Sequence, residues 1–585
     1  MPTLHWIGKD KVVNHHAEVP FRVLEHKYGY RGDNPADTSE THSGNKIIHG
    51  DNLEALKALL PEYEGKIDCV YIDPPYNTGN EGWVYNDNVN DPHIRKWLGE
   101  VVGAEGEDLS RHDKWLCMMY PRLVLLNKLL KDDGLIFISI NDFELNRLYL
   151  ICDEIFTISN NVATFVWKSR AKPANTGEAR FKPQKDAEYI LCYKKKNDRR
   201  YNNISSGKER SYPHSDEEGE YRIQTILKSN RGESHRDTMN FEVNGYKPPI
   251  EQRWQAGYDT IKDLFDRNRI TFETGNPMRK IYTFEEEDEV SPFYCFIDKQ
   301  VSGSAETGKD TLNKIVGNLH GFDTVKPVQL INYLLQHSMP KNAIILDCFG
   351  GSGTTAQSVL ELNSNDGGCR KFVIIEIMDY AEKIIAERTR RVISGYDYKG
   401  KVENELYSKK ITLKNLAEGA SLIEQAEKII EENKDKYDKI SKPKIADNCL
   451  KVIGTKVYEE RMEGLGGAFD YYELGEPLFL SDGNLNESVG VEKIREYIYY
   501  TETHNYLTRK QDTEHPYLLD YLDGTGYFFY YEPNKITTLS HDTLNIVPQK
   551  SDHYVIYADV CTISKEQLAQ MNITFKKIPR DINRF

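Results

Sequence analysis

No apolar run in this 585-residue sequence approaches the ~20 residues of a membrane span, and the amino terminus carries charges and histidines where a secretion signal would be apolar. The chain is therefore expected to be soluble and cytoplasmic. Its nine cysteines include no Cys-x-x-Cys pair, which argues against a zinc ribbon or a disulfide framework and fits a reducing compartment. His15-His16 lacks a companion ligand at helical spacing, so no metal is expected. Neither Gly-x-x-x-x-Gly-Lys-Ser/Thr nor Gly-x-Gly-x-x-Gly occurs, which argues against an NTP-driven motor and a dinucleotide oxidoreductase. Basic residues are also in deficit, with 76 Lys and Arg against 91 Asp and Glu, a formal charge of −15. A surface coated for nucleic acid is disfavoured by that total, but the charge is polarised. Val166–Arg200 holds eleven basic residues against four acidic ones, whereas residues 401–585 hold 24 against 31. One basic groove needs only the first of these.

What is present centres on Val70-Tyr71-Ile72-Asp73-Pro74-Pro75-Tyr76. A short apolar strand is stopped by two prolines, which donate no ladder bonds, so the chain turns at the strand's carboxyl end. In an open α/β sheet that edge is where ligands bind. A plain turn would favour Gly, Asn or Ser. Here Asp73 and the Pro74 carbonyl offer two acceptors beside the flat ring of Tyr76, a set suited to a planar base with an exocyclic amine.

Around this stretch the chain alternates strand and helix. Lys46–His49 reads as a strand, Gly50-Asp51-Asn52 as a turn, and Leu53–Leu60 as a helix with apolar residues at 53, 56, 59 and 60, so that the strand into Asp73 completes a βαβ unit. The irregular stretch from Asn80 to Ser110, with Trp83 and Trp97, is expected to be a functional loop. Trp115–Leu130 is an amphipathic helix, closed by the turn Lys131–Gly134, and Leu135–Ile140 is the next buried strand. Asn141 and Asp142 cap the succeeding helix. From Asn161 the pattern changes to short strands, 164–167 and 188–193, with basic loops. The acidic run Glu285–Glu289 is expected to be a solvated face. Asp323–Leu330 opens a helix, with Pro327 in its first turn. Ala343–Asp347 then leads into Phe349-Gly350-Gly351-Ser352-Gly353-Thr354, a strand, glycine-rich turn and helix whose backbone can approach a nucleoside ligand. The strand 372–375 ends in Glu376, placed to hold ribose hydroxyls. Leu422–Tyr437 is an amphipathic helix with a packing seam. Beyond Lys451 the chain is aromatic-rich and without a catalytic constellation.

Asp73-Pro74-Pro75-Tyr76 resembles the catalytic motif of amino-methylating DNA methyltransferases, and Phe349–Thr354 resembles their S-adenosylmethionine site. The order of motifs, catalytic first, then an insert, then the glycine turn, resembles the β class of adenine-specific enzymes. The length and tail further resemble modification subunits of type III restriction-modification systems. The resemblance implies an α/β, Rossmann-like S-adenosylmethionine-dependent methyltransferase sheet, circularly permuted, with a target-recognition insert and a C-terminal α+β domain. The expected boundaries are 1–45 for an extension, 46–194 and 316–400 for the two catalytic parts, 195–315 for the insert and 401–585 for an assembly domain.

By the same resemblance, Asp73, Pro74, Pro75 and Tyr76 engage a flipped-out adenine. Asp51, Lys326, Pro327, Asp347, Phe349, Gly350, Gly351, Ser352, Gly353, Thr354 and Glu376 form the donor site, Glu376 on the ribose and Asp51 at the adenine end, although by its own position Asp51 could equally cap the helix that follows it. Lys168, Arg170, Lys172, Lys194, Lys195, Lys196, Arg199 and Arg200 are the expected DNA-binding set. The implied partners are double-stranded DNA, a second copy of the chain and a restriction subunit. A cytosine-N4 methyltransferase, a stand-alone methyltransferase and a non-catalytic DNA-binding module remain open at this level.

Overall fold

The computed structural model describes residues 4–77, 107–170, 181, 183–205, 210–231, 235–286, 290–412, 418–446, 448–548 and 550–580. Residues 80–106 of the loop expected from Asn80 to Ser110, with Trp83 and Trp97, lie outside the described residues, as does Lys172, whereas its last four residues, 107–110, already belong to a helix that begins at Glu107 and not at Trp115. Two compact units are present, one formed by residues 1–202 and 294–585, the other by residues 203–293.

The larger unit is built on a ten-stranded sheet. Its strands, in chain order, are β1 (Arg22–Arg31), β2 (Lys46–His49), β3 (Ile67–Ile72), β4 (Leu130–Ile140), β5 (Asn161–Trp167), β6 (Glu188–Lys194), β7 (Phe296–Ile297), β8 (Ile344–Asp347), β9 (Lys371–Glu376) and β10 (Ala468–Pro477). In space they run β1-β10-β2-β9-β8-β3-β4-β6-β5-β7. The central strands β2, β9, β8, β3 and β4 are parallel, and β6 is antiparallel to both β4 and β5.

The flanking helices that matter here are α1 (Asn52–Tyr63), α2 (Glu107–Leu129), α3 (Leu145–Phe156), α4 (Val328–Ser338) and α5 (Thr354–Asp366). Parallel strands buried on both faces need continuous apolar runs. β3 is buried along its whole length. Val70 and Ile72 join a core with α1, α2 and α3. Cys69 and Tyr71, alternating with them, are equally buried toward the opposite face.

β8 and β3 are neighbours, with Ile345 opposite Cys69 and Leu346 opposite Val70. From this junction the chain winds one way through β9 and the other way through β4, which makes it the topological switch point. The sheet is thus the expected Rossmann-like one, with the β8–α5–β9 unit placed late in the chain by circular permutation.

Several boundaries differ from those read in the sequence. β4 starts at Leu130, because Leu130 pairs with Ile67 and Lys131 bonds Asp68. The expected turn at Lys131–Gly134 is therefore strand. The compact insert is shorter than 195–315. Phe296–Ile297 pair with Val166–Trp167 in the main sheet, and Arg199 is anchored to Asp68 in the larger unit. The tail from 401 is not separate either. Residues 468–477 enter the main sheet as β10, between β1 and β2, parallel to β2 and antiparallel to β1, with Phe469 and Tyr471 buried. The helix expected over 422–437 spans Gly419–Asn433. Its apolar face packs with Leu450 and Val452 on a four-stranded sheet whose two long strands are Gly395–Lys410 and Cys449–Glu463. The α+β character of the tail resides in a four-stranded sheet from Leu518 to Lys577 and the helix Val491–Thr503.

The smaller unit is a four-stranded antiparallel sheet with the helix Tyr258–Asp266 and a core around Trp254, Ile226 and Ile261. Its acidic stretch is more than a solvated face. Glu286 pairs with Arg210 and Arg222, which hold its carboxyl down to about 2, and Glu285 lies 3.4 Å from Arg269.

Candidate active site

β3 ends at Ile72, and the prolines carry the chain out over the carboxyl edge of the sheet. Trp115 on α2 donates its indole N–H to the Pro75 carbonyl at 2.7 Å, and Pro74 is buried, so the tetrapeptide is pinned from below. Asn77 closes the turn in the left-handed region, φ 57°, which a short amide side chain tolerates. Its Nδ2 donates to Glu144, whose carboxylate also meets His112 Nδ1. The turn that the two prolines begin is therefore held by a buried carboxylate that the sequence did not single out.

Asp73 reaches across to Lys326, on the segment leading into α4. The ammonium donates to Oδ1 at 2.9 Å and Oδ2 at 2.8 Å, and to the Tyr76 hydroxyl at 2.8 Å. Tyr76 in turn donates to Glu188 at 2.9 Å, and Lys326 Nζ lies 3.2 Å from the same carboxylate. Glu188 stands at the start of β6. Because β6 runs against β4, its first residue lies at the carboxyl edge of the parallel strands. No motif marks Glu188 in the sequence; only that reversed strand brings it to Asp73.

β8 delivers the glycine turn alongside. Gly350 lies against β9: a Cβ there would sit 2.5 Å from Ile374 Cγ2 and 3.1 Å from the Ile375 carbonyl oxygen. Gly353, at φ 79°, takes the left-handed conformation that lets α5 begin. Asp347 is 3% exposed and accepts from the Phe349 N–H at 3.0 Å and the Thr355 hydroxyl at 2.6 Å. Burial pushes its carboxyl up to about 8, against the pull of those two bonds and with a further push from Asp73 and Glu376.

Lys326, Asp347, Phe349, Gly350, Gly351, Ser352 and Thr354 line one cavity of about 330 Å³, and Asp73 and Pro75 line it too. The two motifs, remote in sequence, thus share a wall. Phe322, Met378 and Tyr380 add an apolar face that the sequence reading missed, with the rings of Phe322 and Tyr380 edge to face at 5.0 Å.

Four expected donor residues are not on that wall. Asp51 caps α1, accepting from the Leu53 and Glu54 N–H groups. Pro327 caps α4, and Gly353 caps α5. Glu376 points into the turn: it accepts from the Gly351 N–H at 2.9 Å, Ile377 at 3.0 Å and Met378 at 3.1 Å, and burial pushes its carboxyl up to about 7.

The basic set divides by sheet edge. Lys168 and Arg170 leave the carboxyl end of β5 on the same edge as Asp73, and Arg170 is exposed. Lys194 lies at the other end of β6, opposite Leu135. At ~3.3 Å per residue this is about 20 Å from Glu188. There Lys194 pairs with Asp198, Lys195 donates to the Leu130 carbonyl, and Lys196 lies 3.7 Å from Asp132. Arg199 is 7% exposed and bonded to Asp133 and Asp68, while Arg200 is exposed. Residues 194–199 consequently tie the rim of the sheet together instead of facing the site.

A family profile described as DNA methylase matches residues 67–387. The modification subunit of the type III restriction-modification enzyme StyLTI of Salmonella typhimurium is 30% identical over 423 residues, 69% of this chain and 62% of that protein. The corresponding EcoPI subunit of Escherichia phage P1 is 31% identical over 425 residues, 64% of this chain and 63% of its own. The type II methyltransferase M.KpnI of Klebsiella pneumoniae is 30% identical over 383 residues, 60% of this chain and 84% of that one. The chain thus spans a little under two thirds of the length of the type III subunits it matches. The matched stretch starts at β3, ends beyond β9, and takes in both walls of the cavity and more than half of the 585 residues, so the chain belongs to the DNA methylase family.

Proposed function

We propose that this protein transfers a methyl group from S-adenosylmethionine to the exocyclic N6 amine of an adenine flipped out of double-stranded DNA, as the modification subunit of a type III restriction-modification system. The observation that carries the reading is the shared cavity: Asp73 and the glycine turn line the same wall.

The residues fit the donor. Its amino-acid part carries an ammonium, and Asp347 is a buried carboxyl whose hydrogen-bond donors are both neutral, a backbone N–H and a hydroxyl. The apolar faces of Phe322, Phe349 and Tyr380 suit a nucleoside ring, and α5 opens at Gly353 with backbone N–H groups suited to a carboxylate. When bound, the donor supplies an activated methyl group. The chain's own contribution is positioning. An adenine amine is a weak nucleophile because its lone pair is delocalised, and an Asp73 oxygen accepting its N–H favours the pyramidal nitrogen. Lys326 then keeps Glu188 and Tyr76 as partners when Asp73 turns to the amine. The Tyr76 ring, fixed by Glu188, offers a stacking face that offsets part of the few kcal/mol of flipping. Lys168 and Arg170, on this edge, suit phosphate contacts.

The names of the StyLTI and EcoPI relatives support the restriction-system setting, which implies a restriction subunit and a second copy of the chain as partners. Nine free thiols support a cytoplasmic location, and among the described residues no helix is long and apolar enough to cross a membrane. The test is transfer of labelled methyl from S-adenosylmethionine to unmethylated DNA, followed by nucleoside analysis. Label in N6-methyladenine is expected. Label in cytosine would overturn the base assignment, and failure to bind the donor would overturn the reading as a whole.

A further inference from the structure

Lys326 is one positive charge held between two carboxylates. Its ammonium sits 2.8 Å from Asp73 and 3.2 Å from Glu188, with Tyr76 bridging the second contact. All three side chains are mostly buried, 14% exposed for Lys326, 30% for Asp73 and 21% for Glu188. Burial alone would push the Glu188 carboxyl up, yet the Lys326 ammonium and the Tyr76 hydroxyl hold it below the usual range. The trio therefore carries a surplus of one negative charge. Asp347, pushed up to about 8, is mostly protonated at neutral pH, and Glu376, pushed up to about 7, is about half ionised there, so the glycine turn adds to the negative charge instead of offsetting it. Behind the glycine turn, buried Arg388 donates to Ser352, Thr354 and Gln357 on the α5 side of the cavity, and buried Arg122 donates to Asn52, whose amide donates to the Cys348 carbonyl. Lys326 and Asp73 line the cavity, and Glu188 stands one ion pair behind them.

We propose that Glu188 is a specificity-determining residue: its surplus charge makes the cavity prefer a cationic methyl donor to the neutral thioether left after transfer. The inference rests on the assignment of the cavity to S-adenosylmethionine. Sulfonium donor and thioether product share their shape apart from one methyl group, so an apolar wall scarcely separates them. The field of a buried carboxylate does. A unit charge ~10 Å away at an effective dielectric near 20 corresponds to roughly a tenfold change in Kd. Such a preference would favour exchange of product for fresh donor between turnovers.

The experiment is calorimetric titration of the full chain with three ligands: S-adenosylmethionine, the thioether S-adenosylhomocysteine, and the analogue bearing a protonated amine in place of the sulfonium. Glu188→Gln is expected to weaken both cationic ligands about tenfold and the thioether less than about twofold. Equal loss for all three ligands, or no loss, would overturn the inference in favour of a packing role. Glu188→Asp keeps the charge, so its ratio of thioether to donor Kd should stay within about twofold of the wild type even where absolute affinities fall. A ratio that collapses in Glu188→Asp would equally overturn it. Failure of the wild-type chain to bind any of the three would instead remove the donor reading, and this inference with it.

Discussion

Donor affinity should depend steeply on pH, and Asp347 sets the slope. Its carboxyl is pushed up to about 8 by burial, so at pH 7 roughly nine in ten copies of the ligand-free protein hold the proton. A ligand ammonium pairs with the ionised form, so binding at pH 7 carries an ionisation cost of about 1.4 kcal/mol, which fades above pH 8. The sign comes from linkage: the free protein binds more protons than the complex, so affinity rises with pH through this window. Between pH 6 and pH 8 the ionised fraction grows from about one in a hundred to about one in two, and the Kd should tighten roughly fiftyfold. Titration calorimetry at pH 7 in two buffers of different ionisation enthalpy should show close to one proton released per donor bound. Asp347→Asn should flatten the pH profile and abolish the release. A wild-type Kd that is constant from pH 6 to 8, or binding without proton release, would refute the assignment of Asp347 to the ligand's cation.

Asp73→Asn should slow methyl transfer by about 10²–10³ at saturating donor, the scale for removing one aligned hydrogen-bonding group; single-turnover label transfer retaining a tenth of wild-type activity would contradict the amine-orienting role. Gly350→Ala should cost about 1–3 kcal/mol of stability, since its Cβ would sit 2.5 Å from Ile374, and a denaturant midpoint equal to the wild type would show that β9 yields freely. Arg199→Ala should destabilise the fold by about 1–2 kcal/mol, because Asp68, 4% exposed, loses one partner but keeps Lys131 at 2.7 Å, yet leave DNA affinity at fixed salt within twofold. A large loss of DNA affinity in a stably folded Arg199→Ala protein would return that residue to the phosphate-binding set.

The two motifs were legible because each is a local event with a local cause. Two prolines end a strand wherever they occur, and apolar runs at 70–72 and 344–346 mark strands buried on both faces. Glycines at 350, 351 and 353 declare a turn that needs close approach or positive φ. The helices at 52–63 and 354–366 emerge from the same reading of turn and period. Glu188, His112 and Glu144 were not legible. Each is an ordinary polar residue whose part in the site depends on an antiparallel strand or on α2 and α3 crossing the carboxyl edge. The basic cluster shows the converse, neighbours in sequence set apart in space. Lys194, Lys195 and Arg199 adjoin Lys168 and Arg170 in sequence, but the reversal of β6 carries them to the far rim, where Lys194 pairs with Asp198 and acceptors on β3 and β4 take up Lys195 and Arg199.

What the sequence determined by itself is the kit of parts: a proline-stopped strand with Asp73 at its tip, a glycine turn beginning a helix, and the order in which they occur. Hydrophobic period, proline and glycine act over a few residues, so these features survive without knowledge of the fold. Which parts face one another was decided only by the tertiary structure. Burial of both sheet faces forces β8 beside β3, and that adjacency joins the glycine turn to Asp73 in one cavity. The antiparallel β6 then adds Glu188, giving Lys326 a second carboxylate and the site its surplus negative charge.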